Sequence, residues 1–318
     1  MSHNISIMIW IIGAGTIAQE YAKVLTALGY QFQMIGRGEE KARQVEETFG
    51  YKVIRGGLDS FIESEPNKPE AVIVATNLAS LAPNTIALLK YGVKRILCEK
   101  PGFLYPEECE KVTSLAKEKD AEIYLAYNRR FFSSVLKAKE IIAEDGGVTS
   151  FNFEFTEWGH VIAKYNKPQE ELKNWLYANS SHVIDLAFFL GGEPIKMDCH
   201  TAGEISWHKP AAFVGSGVSD KGALFSYQAN WAAPGRWGVE VLTSQHRLYL
   251  RPMESLQIQN LGSVAINPVE IDDHLDKEFK PGFYLETKAF LDANNMNLCS
   301  IVQQQQHVKN IYNKILGK

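Results

Sequence analysis

The chain has 318 residues, of which 45% are hydrophobic and 22% charged, with a formal net charge of -4. That is a globular composition on a length greater than one hydrophobic core usually serves, so two domains sharing a cleft are expected. Basic residues are dispersed, with runs no longer than pairs such as Arg129-Arg130, which excludes the basic face a nucleic-acid partner requires.

Cys98, Cys109, Cys199 and Cys299 are widely separated and form none of the close pairs that zinc sites or redox motifs need. No metal is expected, and a reducing cytoplasm suits this cysteine usage. The apolar run over residues 7–12 stops at Gly13, is too short to cross a bilayer and follows no basic segment. It reads as a buried strand, so no membrane partner is expected.

In chain order, short β-branched runs at residues 7–12, 31–35, 51–54, 71–75, 95–98 and 123–125 alternate with amphipathic stretches. The clearest of these stretches covers residues 16–28, where Ile17, Tyr21, Val24 and Leu28 share a stripe and Gly29 ends the helix. This alternation predicts an α/β, doubly wound parallel sheet over residues 1–125. After Ala126 the rhythm changes. A helix over 133–144 and a strand over 151–155 lead to a helix over 175–190, which Gly191-Gly192 ends. Alternating runs at 222–231, 239–243 and 247–250 then predict an open, mainly antiparallel sheet in a C-terminal α+β domain over residues 126–318. Helical patterns at 284–293 and 300–316 close that domain, with residues 303–306 as a solvated glutamine face.

Gly13-Ala14-Gly15-Thr16-Ile17-Ala18 follows an apolar strand and opens a helix, the setting that gives a G-x-G-x-x-G/A pattern meaning. Gly13 permits a tight turn, Gly15 lets the backbone approach a pyrophosphate, and Ala18 brings helix close to strand. A dinucleotide is therefore expected against Gly13, Gly15, Thr16 and Ile17, with Thr76 and Asn77 after the fourth strand and Glu99 and Lys100 after the fifth as further contacts. Where an NAD site usually carries an acid after the second strand, this chain has Gly36-Arg37-Gly38. Gly36 leaves space and Arg37 offers a cationic fork suited to a 2′-phosphate, so NADP is expected, with NAD possible. Alternatively, Arg37 is a solvated loop residue or stacks on adenine. Glu99-Lys100-Pro101 lies at the sheet's carboxyl edge, where a lysine beside a proline is a candidate for holding a substrate oxygen.

These residues together resemble the glucose-fructose oxidoreductase, inositol dehydrogenase and MocA family, in which the glycine fingerprint is followed by Glu-Lys-Pro. The likeness extends to Tyr127-Asn128-Arg129-Arg130-Phe131, to Ser181-His182-Val183-Ile184-Asp185 and to Pro281-Gly282-Phe283. The resemblance implies that Lys100 hydrogen-bonds the reacting oxygen and that His182 accepts its proton, the two facing the nicotinamide from opposite domains. Proton transfer during hydride removal from a carbinol carbon needs such a base. The alternative for His182 is a satisfied core histidine. Many family members place an aspartate four residues before this histidine, and this chain has Ala178 there. Asp185, on the same helical face, either assists His182 and contacts substrate or serves as a cap or salt-bridge residue.

Arg129 and Arg130 are candidates for binding a carboxylate or phosphate, and Trp158 and Asn179 for contacting a sugar, with Trp231 and Trp237 as further aromatics. For most of the tryptophans, core packing is the alternative. The resemblance implies NAD(P)-linked oxidoreduction at a carbinol carbon of a sugar, sugar acid or nucleotide-linked sugar. Alternatives are redox-assisted elimination or hydrolysis on a tightly held nicotinamide, and a non-catalytic NADP-binding sensor or scaffold. Apolar alternation over 222–231 and 239–250 further suggests a homodimer or homotetramer that covers an exposed sheet face.

Overall fold

The computed structural model describes residues 8–318, so Ile7 of the first expected strand lies outside the described residues. The chain divides into two compact units. Residues up to Tyr127 together with Glu278–Gln305 form the first, and Asn128–Lys277 with Gln306–Lys318 form the second. This differs from the single boundary expected after residue 125, because part of the closing segment returns to the first unit.

In the first unit, strands β1 (Met8–Ile12), β2 (Gln31–Ile35), β3 (Val53–Ile54), β4 (Ala71–Val74), β5 (Arg95–Glu99) and β6 (Glu122–Ala126) are parallel. Their spatial order is β6-β5-β4-β1-β2-β3, and Cys299–Ser300 adds an antiparallel edge beside β6. β1 and β4 are covered on both faces, which is why they read as continuous apolar runs without alternation. Helices α1 (Thr16–Ala27), α2 (Glu39–Phe49), α3 (Gly57–Glu63), α4 (Leu78–Tyr91) and α5 (Pro106–Glu118) make the crossovers. The order reverses at β1, between β4 and β2, so ligands are expected at the carboxyl ends of these strands.

The returning segment is packed by specific contacts. Helix Phe283–Leu291 lies against α1 through Phe283 and Tyr21, and Arg95 donates to the Phe290 carbonyl. Gln304 corrects the expectation of a solvated glutamine face. It is fully buried, and its side-chain amide Nε2 donates to the Pro101 carbonyl at 3.1 Å and to the Tyr127 hydroxyl at 3.0 Å.

The second unit opens with a 3-10 turn, Asn128–Phe131, and helix α6 (Ser133–Glu144). Its sheet contains β7 (Ser150–Glu154), β8 (Pro194–Ala202), β9 (Ala212–Ser219), β10 (Leu224–Asn230), β11 (Gly238–Leu242), β12 (His246–Leu250), β13 (Gln257–Asn260) and β14 (Ile266–Pro268). They lie in the order β14-β13-β12-β11-β7-β10-β9-β8, antiparallel except for the β7–β10 pair. Phe151, Phe153, Phe225 and Tyr227 project from one face onto Phe188 and Phe155 in a buried aromatic cluster.

That packing accounts for the apolar alternation in β10 to β12. The alternating apolar residues Phe225, Tyr227, Val239, Val241, Leu248 and Leu250 are buried within the unit. The other face carries Ser226, Gln228, Asn152 and the Glu240–Arg247 pair, so it is largely polar rather than the exposed apolar face expected from sequence. The helix expected over 175–190 is also interrupted. Leu176–Ser180 forms a π-helical turn that leads into helix Ser181–Gly191.

Candidate active site

The first unit holds a cleft of about 990 Å³ lined by Gly13 to Ile17, Arg37 to Lys41, Gly56 to Asp59, Ala75 to Asn77, Ser80, Pro83 and Asn84. It lies where the order of the sheet reverses. Gly13 has φ +133, and a Cβ there would stand 2.3 Å from the Ala75 carbonyl oxygen, so only glycine lets the β1–α1 turn pass β4 this closely. Gly15 is different. Its backbone is extended at φ -81, and a Cβ there would meet nothing within 4 Å. It has no side chain to cap α1, which leaves the helix's first N–H groups and its positive dipole end available for an anion. These features fit a dinucleotide pyrophosphate, with Gly13, Gly15, Thr16 and Ile17 as the residues that would hold it.

At the far wall, the exposed Arg37 donates to Ser80 Oγ at 3.3 Å and makes no ion pair among the described residues. Lys41 lines the same wall, and the nearby Glu39 is engaged by Arg55 at 2.8 Å. Gly36 has a different role from the one expected. A Cβ on it would meet Val53 Cγ1 at 3.0 Å and Ala14 Cβ at 3.1 Å, so its small size serves packing of β1 to β3 rather than space for a ligand. Asn77 lines the cleft and also caps α4, accepting from the Ser80 amide at 3.1 Å.

Lys100 follows β5 directly, in a half-buried position before the Lys100–Pro101 cis bond. Glu99 accepts a hydrogen bond from Tyr21 at 2.8 Å. Burial, together with the nearby carboxylates of Glu99 and Glu286, raises the Tyr21 phenol well above its ordinary value, so it remains a donor to Glu99. The carboxylate thereby ties α1 to the end of β5. Burial pushes the Cys98 and Cys109 thiols up to about 12, which removes both as nucleophiles near neutral pH.

In the second unit, His182 sits in the first turn of helix Ser181–Gly191 with 8% of its surface exposed. Its ring centroid lies 6.2 Å from that of Trp237. The π-helical turn before it is anchored by Glu157, which sequence reading missed. Glu157 is 2% exposed and accepts from Asn179 Nδ2 at 3.0 and 3.2 Å and from Ser180 Oγ at 2.7 Å. Burial raises its carboxyl above the ordinary range, against the lowering effect of those donors and of Arg236. Asn179 therefore has a partner within the fold.

Residues 7–127 match the oxidoreductase family Gfo/Idh/MocA, NAD-binding Rossmann fold. That match covers the N-terminal part of the chain, less than half of its length. It is 29% identical over 193 residues to glucose-6-phosphate 3-dehydrogenase of Bacillus subtilis, a match covering 57% of this chain and 53% of that protein. It is 27% identical over 142 residues to myo-inositol 2-dehydrogenase of Thermotoga maritima, covering 44% and 41%. The chain thus matches about half or less of the length of these curated relatives. Levoglucosan dehydrogenase in complex with NADH shares the fold, with a TM-score of 0.77 at 19% identity over 98% of this chain and 96% of that one.

The structure separates the remaining sequence candidates. Arg130 and Asp185 engage each other. Arg130 Nε and Nη2 reach the two Asp185 oxygens at 2.8 and 2.6 Å, with side-chain exposures of 2% and 1%. Asp185 therefore anchors the Asn128–Phe131 turn to the His182 helix, and Arg130, expected to contact substrate, has its fork committed inside the protein. His307 extends the network, with Nδ1 3.7 Å from Asp185 and Nε2 2.7 Å from Glu193. Trp231 is buried and packs on Trp207 and His208, a core role. By contrast, Trp158 is 49% exposed, with its Nε1 donating to the Gly235 carbonyl at 3.0 Å. The Arg129 guanidinium lies 5.1 Å from the Trp237 ring.

Proposed function

We propose that the chain is an NAD(P)-dependent oxidoreductase that moves a hydride to or from a carbinol carbon of a sugar, sugar acid or nucleotide-linked sugar. The observation that carries this is the uncapped α1 N-terminus, with Gly15 opening into a large cleft at the reversal of the sheet order. The named activities of the Bacillus and Thermotoga relatives support carbohydrate-like substrates. A nicotinamide bound there supplies the hydride acceptor or donor. Lys100 takes the part of a fixed cation that hydrogen-bonds the reacting oxygen. His182 takes the part of the base that accepts the hydroxyl proton on oxidation and returns it on reduction. Ala178 carries no ionisable group, and Asp185 is committed to Arg130, so His182 acts without a carboxylate from either position.

The same reading assigns NADP as the preferred cofactor. Arg37 is exposed to the cleft without a carboxylate partner among the described residues, and Lys41 adds a second cation. We also propose a homodimer or homotetramer. With the apolar strand residues turned inward, a partner would meet a mainly polar sheet face, so light scattering is the appropriate check.

The catalytic assignment is tested with Lys100→Met and His182→Ala. Each should retain NADPH affinity while losing turnover by about 10²–10⁴-fold, the range for a general acid–base group. Near-normal turnover in His182→Ala would place the base elsewhere.

A further inference from the structure

The second unit contains a column of alternating cations and indoles whose central cation, Arg236, no sequence pattern marked. The Arg236 guanidinium lies 5.0 Å from the Trp158 ring and 5.1 Å from the Trp237 ring, and Arg129 lies 5.1 Å from Trp237. His182 adjoins Trp237, with ring centroids 6.2 Å apart. The column joins the segment after β7, the segment after β10 and the Asn128–Phe131 turn to the neighbourhood of His182.

We infer that Arg236, stacked with Trp158 and Trp237, recognises an anionic group, a phosphate or a carboxylate, carried on a carbohydrate ring. This rests on the carbohydrate oxidoreductase reading above and narrows its substrate class.

Arg236 is exposed and makes no ion pair among the described residues. The Glu154 carboxylate accepts from the Arg236 backbone amide at 3.2 Å and pairs with Arg251, while Glu157, whose carboxyl feels the Arg236 charge, is buried and takes its hydrogen bonds from Asn179 and Ser180. Aromatic contacts restrain a guanidinium through its π surface while leaving its in-plane N–H groups able to donate, the arrangement that suits a planar carboxylate or two oxygens of a phosphate. Stacking also reduces the side-chain entropy lost on binding. Trp158 adds a flat apolar surface fixed by its bond to Gly235, suited to the C–H face of a pyranose ring. Trp237 contributes one more polar group. Its Nε1 is buried and meets no acceptor among the described residues, although the side chain as a whole is 6% exposed.

The test is direct ligand binding, independent of turnover. Isothermal titration of the full chain, loaded with reduced cofactor so that no hydride can be taken from the ligand, would compare D-glucose 6-phosphate, D-glucuronate and D-glucose, with circular dichroism confirming the fold of each variant. At least one anionic ligand should bind about tenfold or more tightly than glucose, in line with charge-assisted recognition. Comparison of the phosphate with the glucuronate identifies the group read. In Arg236→Gln that preference should shrink to about threefold or less, and Trp158→Ala should weaken all ligands that bind. Equal binding of glucose and the anions, a preference retained in Arg236→Gln, or no binding of any of the three would overturn the inference. Loss of self-association in Arg236→Gln without any effect on these ligands would instead assign the column to a protein interface. Anion-selective binding with no redox turnover would leave this inference standing and refute the activity on which it was built.

Discussion

The two glycines of the β1–α1 turn should fail in opposite ways when substituted. In Gly13→Ala, the new Cβ must fit a backbone at φ +133 and would stand 2.3 Å from the Ala75 carbonyl oxygen. Backbone strain of about 1–3 kcal/mol adds to about 1–3 kcal/mol for forcing an atom into a packed site, so a loss of about 2–6 kcal/mol is expected. At about 2–4 °C per kcal/mol, the thermal transition should fall by at least about 4 °C. In Gly15→Val, the extended backbone accepts valine and nothing lies within 4 Å of its Cβ, so the transition should hardly move. The added methyl groups occupy the space the pyrophosphate needs, so the Kd for NADPH should rise by about 100-fold or more. Scanning calorimetry on the protein without cofactor and fluorescence titration with NADPH measure the two effects separately. A Gly13→Ala protein of unchanged stability, or a Gly15→Val protein that binds NADPH normally, would refute this division of roles.

Arg130→Met should cost about 3–5 kcal/mol by stranding the buried Asp185 charge, and adding Asp185→Leu should recover most of it; urea unfolding of the two variants provides the comparison. Arg37→Ala should weaken NADPH by about 1.5–3 kcal/mol while leaving NADH nearly unchanged, and equal losses in titration would remove Arg37 from 2′-phosphate recognition. Because burial raises the Glu157 carboxyl in the folded state, the native protein holds its proton more tightly than the unfolded chain. The associated stability is present below the unfolded pKa and declines as pH rises through the folded one. Glu157→Gln should therefore gain in melting temperature relative to wild type as pH rises above about 4, the ordinary glutamate value; a constant difference would contradict the assigned shift.

Much of the first unit was legible because its signals are local. Fully covered parallel strands are apolar throughout, and the glycine turn stands directly between β1 and α1. β8 and β9 were harder to read. β8 has mostly half-exposed or exposed positions, and β9 carries Gly215, Ser216 and Gly217, so neither shows the usual alternation of β-branched residues. The π-helical turn at Leu176–Ser180 was hidden inside a helix-like pattern.

The site was legible in proportion to how local its parts are. Sequence alone marked Arg130 and Asp185 as polar candidates, but their pairing across the second unit was needed to show that each satisfies the other. Glu157 and Arg236 went unnoticed for the same reason. Their significance lies in burial by Asn179 and Ser180 and in stacking on two distant indoles, relations that no spacing in the chain encodes.

The central claim is hydride exchange between a carbohydrate carbinol and a nicotinamide, and absorbance at 340 nm measures it most directly. Wild-type protein incubated with NADP or NAD and a panel of neutral sugars, sugar acids, sugar phosphates and sugar nucleotides should give a rise at 340 nm with at least one substrate. That rise should be lost in His182→Ala and Gly15→Val. Conversion of a sugar derivative without net change in added cofactor, or a rise that persists in both variants, would contradict the account.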